Sequence, residues 1–250
     1  MKILVLSDLH IGTDEKFGLF GWTSDEFIQS LELISKKNGV DKIILNGDIF
    51  ELDKYRFDAI KRVHPKLINL FSDKRFVLLK GNHDHISTIG NDSYDYTNTN
   101  GQTIHIEHGH NADFLNGTKI GRFLCRKGLN VLKFLVKWDF LLEIYYKIVE
   151  FDDEVDRIPK KYNSYKYLKY ALKLLKSHDV VILGHTHKLE AHKTYYINRK
   201  KRYLNSGSCS LGRFQGLIID TESLNYEIIK YNKSDILSNE QTLTIPLFAS

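Results

Sequence analysis

The chain has 250 residues and a formal net charge of +5, with 42% hydrophobic residues and a mean hydropathy of −0.32. That size and balance suit one soluble domain with a sizeable core and room for an inserted subdomain. Two cysteines exclude a disulfide framework and point to a reducing, cytoplasmic compartment. The positive charge fits phosphate-bearing partners and a solvated lysine-rich surface equally.

The opening MKILVLSD is an apolar run that stops at Asp8. It is too short for a signal peptide and is expected as a buried strand over residues 3–6, followed by Asp8 and His10. Residues 12–21 are expected as a loop. Thr23 and Glu26 form a capping-box pattern ahead of Phe27, Leu31 and Ile34, which share one helical face, and Gly39 stops that helix. A second strand, residues 43–45, leads to Asp48. A helical stretch over 57–71 should break at Pro65. A strand over 76–79 delivers Asn82, His83 and Asp84, and the polar segment 87–101 is expected as a loop. A strand over 103–107 then leads to His108.

From about residue 113 to 151 the pattern turns helical, basic first and then aromatic. Lys119, Arg122, Arg126 and Lys127 precede an apolar arc centred on Trp138, Leu142 and Tyr145. Charges recur too often there for a membrane span. The arc must be buried against the body or an acyl chain, and the basic start is placed to meet phosphate or an anionic membrane surface. A charged connector covers 152–161. Ser164 is expected to cap a helix whose Leu168, Ala171, Leu172 and Leu175 face a sheet. The strand at 180–183 leads to His185 and His187. Short strands over 191–197, 201–205, 214–219 and 226–231 are expected to form a second, more antiparallel sheet.

Asp8, His10, Asp48, Asn82, His108, His185 and His187 thus all follow apolar strands. Open α/β sheets bind ligands outside the carboxyl ends of their strands. Carboxylates, imidazoles and one amide collected there form the pattern of a metal centre, with too many ligands for one tetrahedral ion. The set contains no thiolate, which favours Mn²⁺, with Fe or Zn as alternatives, over a structural cysteine-rich zinc site.

Asp8-x-His10, Gly47-Asp48, Gly81-Asn82-His83-Asp84, His108-Gly109 and Gly184-His185-x-His187, in this order, resemble the calcineurin-like metallophosphoesterase superfamily. The resemblance covers roughly residues 1–110 and 178–220. It implies a four-layer α/β/β/α sandwich, one domain over 1–250, with a helical cap inserted at about 113–162. It implies two divalent ions that clamp a phosphate and deprotonate a bridging water to give the nucleophilic hydroxide. Asp8, His10, Asp48 and His187 would hold one ion, and Asp48, Asn82, His108 and His185 the other, with Asp48 shared. His83 would protonate the leaving oxygen, and Asp84 would orient it. Residues 205–208 resemble a late turn of such enzymes that supports the rim.

The insertion after His108 is similar to the helical lid of UDP-2,3-diacylglucosamine diphosphatases, which implies a pyrophosphate in a nucleotide-sugar or lipid-linked substrate, with peripheral contact at the inner membrane surface. That branch often carries Arg where this chain has His83, which favours a general phosphoesterase with a histidine acid. Basic and aromatic residues interleave at Arg122-Phe123 and Lys137-Trp138, so a nuclease or other phosphodiesterase acting on nucleic acid is the competing class, beside a protein phosphatase. His85, His110 and Asp113 adjoin the motifs and are open between second-layer, substrate-contact and surface roles. His64, His105, His178 and His192 are expected to be ordinary core or surface histidines. Oligomeric state is not legible.

Overall fold

The apolar runs are buried on both faces, and this dictates layering. A computed structural model describes residues 1–13, 18–84, 89–112 and 161–237. His85, Asp113 and the body of the expected insertion, 113–160, lie outside them.

In the first sheet β1 (Lys2–Leu6), β2 (Lys42–Asn46) and β3 (Phe76–Leu79) run parallel. Two antiparallel strands, β9 (Arg213–Asp220) and β10 (Tyr226–Asn232), extend it to the order β10-β9-β1-β2-β3. The second sheet has the order β4-β5-β6-β8-β7. Its centre is parallel, made of β5 (Thr103–Glu107), β6 (Val180–Leu183) and β8 (Arg199–Ser206). Its edges, β4 (Ser93–Thr97) and β7 (Leu189–Tyr196), are antiparallel.

Alternation along each strand sorts side chains into layers. Ile3 and Val5 pack with Ile44, Ile104, Ile106, Val180 and Ile182 between the sheets. Leu4 and Leu6 turn the other way and join Phe27, Leu31, Ile34, Ile60 and Leu67 of α1 (Ser24–Asn38), α2 (Phe57–Val63) and α3 (Pro65–Phe71). On the far side, Ala171 of α4 (Lys161–Leu174) and the following Leu175 cover Val181, Leu183 and Tyr203 of the second sheet. The result is the expected α/β/β/α sandwich.

Three expectations are corrected. The last four strands do not form a sheet of their own: β7 and β8 complete the second sheet and β9 and β10 the first, because β9 finds its partner in β1 at the far end of the sequence. Part of the polar segment 87–101 is a strand, β4, paired antiparallel with β5. Its Tyr94 and Tyr96 pack against the inter-sheet core, a period-two signal hidden by polar neighbours. α4 begins at Lys161, ahead of the expected cap at Ser164, and its Leu172 is exposed. Pro65 does divide the 57–71 stretch, by starting α3 at its first position.

α1 shows how local chemistry sets an element. Glu26 N donates to Thr23 Oγ1 at 3.3 Å and Thr23 N donates to Glu26 Oε2 at 2.8 Å, closing a reciprocal capping box. Gly39 ends the helix in the left-handed conformation, φ 63°. Thr23→Ala should cost about 1 kcal/mol in denaturant unfolding, read as a lower midpoint with an unchanged slope.

Candidate metal centre

The loops leaving the strands are laced together by main-chain hydrogen bonds before any side chain is considered. Asp8 N donates to Gly47 O at 3.1 Å, His10 N to Asp48 O at 2.9 Å, and Gly184 N to His108 O at 3.0 Å. His185 N donates to Asp8 Oδ2 at 3.1 Å, which ties the second sheet to the first. The turn at 205–208 braces the same edge: Asn205 Nδ2 donates to Gly184 O at 2.8 Å and Ser208 Oγ to Asp8 O at 3.1 Å.

Asp8, His10, Asp48, His185 and His187 all have positive φ, between 49° and 69°. Left-handed backbone is unfavourable for residues with a Cβ and concentrates at functional sites. Here it turns successive side chains of each short loop towards one point.

That point holds two groups of side chains. Donor atoms of Asp8, His10 and His187 lie within 4.8 Å of one another, as do those of Asp48, His108 and His185. His187 Nε2 is 3.2 Å from Asp8 Oδ1 and 3.4 Å from His10 Nε2. His108 Nε2 is 3.2 Å from Asp48 Oδ2 and 3.9 Å from Asp8 Oδ1, which joins the groups. Asn82 is buried in the turn after β3, next to Gly81 and His83. Six of the expected ligands, Asp8, His10, Asp48, His108, His185 and His187, therefore meet where strand ends of the two sheets converge.

The donor set suits metal ions. Asp8 Oδ1 and His108 Nε2 are buried yet make no hydrogen bond of good geometry, an arrangement that costs stability unless something positive lies between them. His108 Nδ1 is 2.8 Å from Asn46 O, so it carries a proton and directs Nε2, the nitrogen an ion would take, towards the centre. Burial works against a charged His108, but Asp48 and Asp8 outweigh it and lift its pKa to about 9. Burial and the nearby His108 lower His185 to about 3, leaving it a neutral imidazole. Burial opposes ionisation of Asp48, yet His108 and His83 hold it well below the carboxylate range. The pocket is thus built around anionic oxygens that need a cation.

His83 stands beside the two groups, its ring edge-on to His10 at 4.8 Å and its Nε2 4.0 Å from Asp48 Oδ2. Asp84 was the expected carboxylate behind it, and the structure corrects this. Asp84 Oδ1 accepts from Gly81 N at 2.6 Å and its Oδ2 from Ile49 N at 2.7 Å, so Asp84 fixes the turn. Glu51 takes the orienting role: its Oε1 is 2.7 Å from His83 Nδ1 and its Oε2 is 3.2 Å from His10 Nδ1. Burial opposes a charged His83, but Glu51 and Asp48 raise its pKa to about 10. Sequence reading missed Glu51. The only signal was an acidic residue three positions after Asp48, in a segment with no motif of its own.

His110 lies in the short turn after His108, the two rings 5.6 Å apart, and Tyr167 of α4 is 5.6 Å from the His185 ring. His64 meets Ser24 Oγ at 2.8 Å and His192 stacks on Tyr203, both ordinary packing. Gly81 is a steric requirement. A Cβ there would run into the Asp48 carboxylate and main-chain nitrogen, whereas a Cβ at Gly39 would meet nothing within 4 Å. Gly81→Ala should therefore strip metal from the purified protein, and Gly39→Ala should lower stability with metal content intact; elemental analysis and thermal melts separate the two.

The family model described as calcineurin-like phosphoesterase matches residues 1–189. No curated protein sequence matches the chain. Among solved structures, the chain resembles a novel archaeal phosphodiesterase at 18% identity and TM-score 0.42, covering 92% of this chain and 100% of that one. A dimetal phosphatase from Danio rerio is similar at 10% identity and TM-score 0.49, with 93% and 96% covered. A protein of Streptococcus pneumoniae described as a predicted phosphoesterase is similar at 16% identity and TM-score 0.40, with 93% and 90% covered. The family match takes in every loop that feeds the centre, and with it this chain belongs to the calcineurin-like phosphoesterases, enzymes that hydrolyse phosphate esters.

Proposed function

We propose that the chain is a two-metal hydrolase of phosphodiester or pyrophosphate bonds, with His83 as general acid. The observation that carries this reading is the placement of His83. Its Nδ1 is held by Glu51, leaving Nε2 facing the side on which Asp48, His10 and His108 gather.

Asp8, His10, Asp48 and His187 would hold one ion, and Asp48, Asn82, His108 and His185 the other. When bound, the pair supplies charge neutralisation and lowers the pKa of water, and imidazole with carboxylate and amide oxygen suits Mn²⁺, with Fe or Zn as alternatives. The chain's own residues do the rest. Asp48 also accepts from His83 N at 2.8 Å, so the residue shared by the ions sets the position of the acid. Hydrolysis adds the oxygen of water to phosphorus and breaks the bond to the leaving oxygen. That oxygen needs a proton, and His83 Nε2 supplies it. Glu51 keeps the imidazole charged and its ring direction fixed.

The large substrate is a nucleotide-sugar or lipid-linked pyrophosphate selected by the insertion after His108. A panel with Mn²⁺ tests this: p-nitrophenyl phosphate, bis-p-nitrophenyl phosphate, nucleotide sugars and single-stranded DNA. Preference for single-stranded DNA over every small substrate overturns it.

Asp48→Asn should lose both bound metal and turnover. His83→Ala should keep its metal and lose about 10²–10⁴-fold in rate, the range for a general acid. Metal lost from the His83 variant and retained in the Asp48 variant reverses the assignment.

Glu51→Gln should shift the pH profile. An acid must be protonated to act, so turnover is full below the His83 pKa and falls as pH rises through it, near 10 with Glu51 present. Removing the carboxylate charge lowers that pKa, so the alkaline limb moves to lower pH. A limb that stays in place shows that His83 does not control it.

A further inference from the structure

Two histidines expected to be ordinary come together on the outer face of the second sheet, away from the strand-end centre. In β5 the side chains of Ile104 and Ile106 point into the inter-sheet core, so His105 points to the opposite face. Its register partner on the edge strand β4 is Asp95. His178 immediately precedes Asp179 and β6, at the end of that strand remote from His185. Donor atoms of Asp95, His105 and His178 lie within 4.8 Å of one another. Asp95 Oδ1 is 2.7 Å from His105 Nδ1 and 3.6 Å from His178 Nε2.

The far nitrogen of each ring is already engaged. His178 Nδ1 is 3.0 Å from Leu174 O, an acceptor only, so that nitrogen carries the proton and the lone pair of Nε2 faces Asp95. His105 Nε2 is 3.1 Å from Glu107 Oε2 and donates to it, while Nδ1, 2.7 Å from Asp95 Oδ1, shares a second proton with that carboxylate. A metal-ligating histidine characteristically donates its other N–H to a carboxylate or a main-chain carbonyl, and here one histidine does each. The rings also stack, with centroids 4.6 Å apart and planes at 26°, where two imidazolium charges would repel. At least one ring is therefore neutral, with a lone pair towards Asp95.

We infer that Asp95, His105 and His178 form a separate cation site that takes Zn²⁺ or a similar borderline ion. Two imidazoles and one carboxylate, with the fourth position on water, is an established zinc arrangement. Ligands about 2.0–2.1 Å from a tetrahedral zinc stand roughly 3.3–3.4 Å apart. The His178 spacing, 3.6 Å, is within about 0.3 Å of this. The His105 spacing must open by less than about 1 Å, which the Asp95 side chain, 61% exposed on an edge strand, can provide. The ion would replace the proton now shared between His105 and Asp95. Bound there, it would clip the edge strand β4 to β5 and to the start of β6.

The test is equilibrium dialysis of the full chain, first stripped with chelator, against micromolar Zn²⁺, with metal per chain read by elemental analysis. Asp95→Asn and His178→Gln should each bind one equivalent less than the wild type, with turnover of bis-p-nitrophenyl phosphate within twofold. Zn²⁺ should also raise the melting temperature of the wild type more than that of either variant. Equal metal content in all three proteins overturns the site and leaves an ion pair only. The difference of one equivalent is independent of how many ions the strand-end centre holds, so failure here and failure of the phosphoesterase reading stay distinguishable. Both substituted side chains reach the surface, and retained turnover reports that the variants are folded.

Discussion

The Asp48 carboxylate is the group around which the rest of the molecule is organised. It is buried at the end of β2, where an unpaired charge would be very costly. The fold answers with His108 Nε2 at 3.2 Å and the main-chain N–H of His83 at 2.8 Å. Gly81 has no side chain because that carboxylate occupies the space. Each answer comes from a different strand end, so satisfying one carboxylate requires β2, β3 and β5 to be in register across two sheets.

This explains why the centre sits on short loops with unfavourable backbone. Left-handed residues cost on the order of 1–3 kcal/mol each, and five of the expected ligands adopt that conformation. Isolated loops would relax. Here they are pinned by hydrogen bonds to one another and anchored in strands buried on both faces. The inter-sheet core is thus the source of the rigidity that holds the donor atoms close.

The division of labour between acidic residues follows from where their oxygens can reach. Asp84 is close in sequence to His83 but uses both oxygens on main-chain N–H groups. Glu51 is distant in sequence, has a longer side chain, and bridges His83 and His10 from below. It couples the expected acid to an expected metal ligand through one carboxylate, so the charge state of one is felt by the other.

The gathering of Asp8, His10, Asp48, His108, His185 and His187 was legible in the sequence because each follows an apolar run of strand length, and strand ends are where α/β sheets present ligands. The α1 capping box and the break at Pro65 were legible for the same kind of reason: each is decided by residues within a few positions of one another. Strand partnership was not, because β1 pairing with β9 and β4 pairing with β5 depend on which surfaces remain to be buried once the sheets meet. Glu51, too, carries no local signature, and its role exists only because β2 and β3 lie side by side. Asp95, His105 and His178 are unremarkable in the chain and adjacent only in the sheet. Local chemistry determines which residues can bind; the long-range pairing of buried strands decides which of them meet.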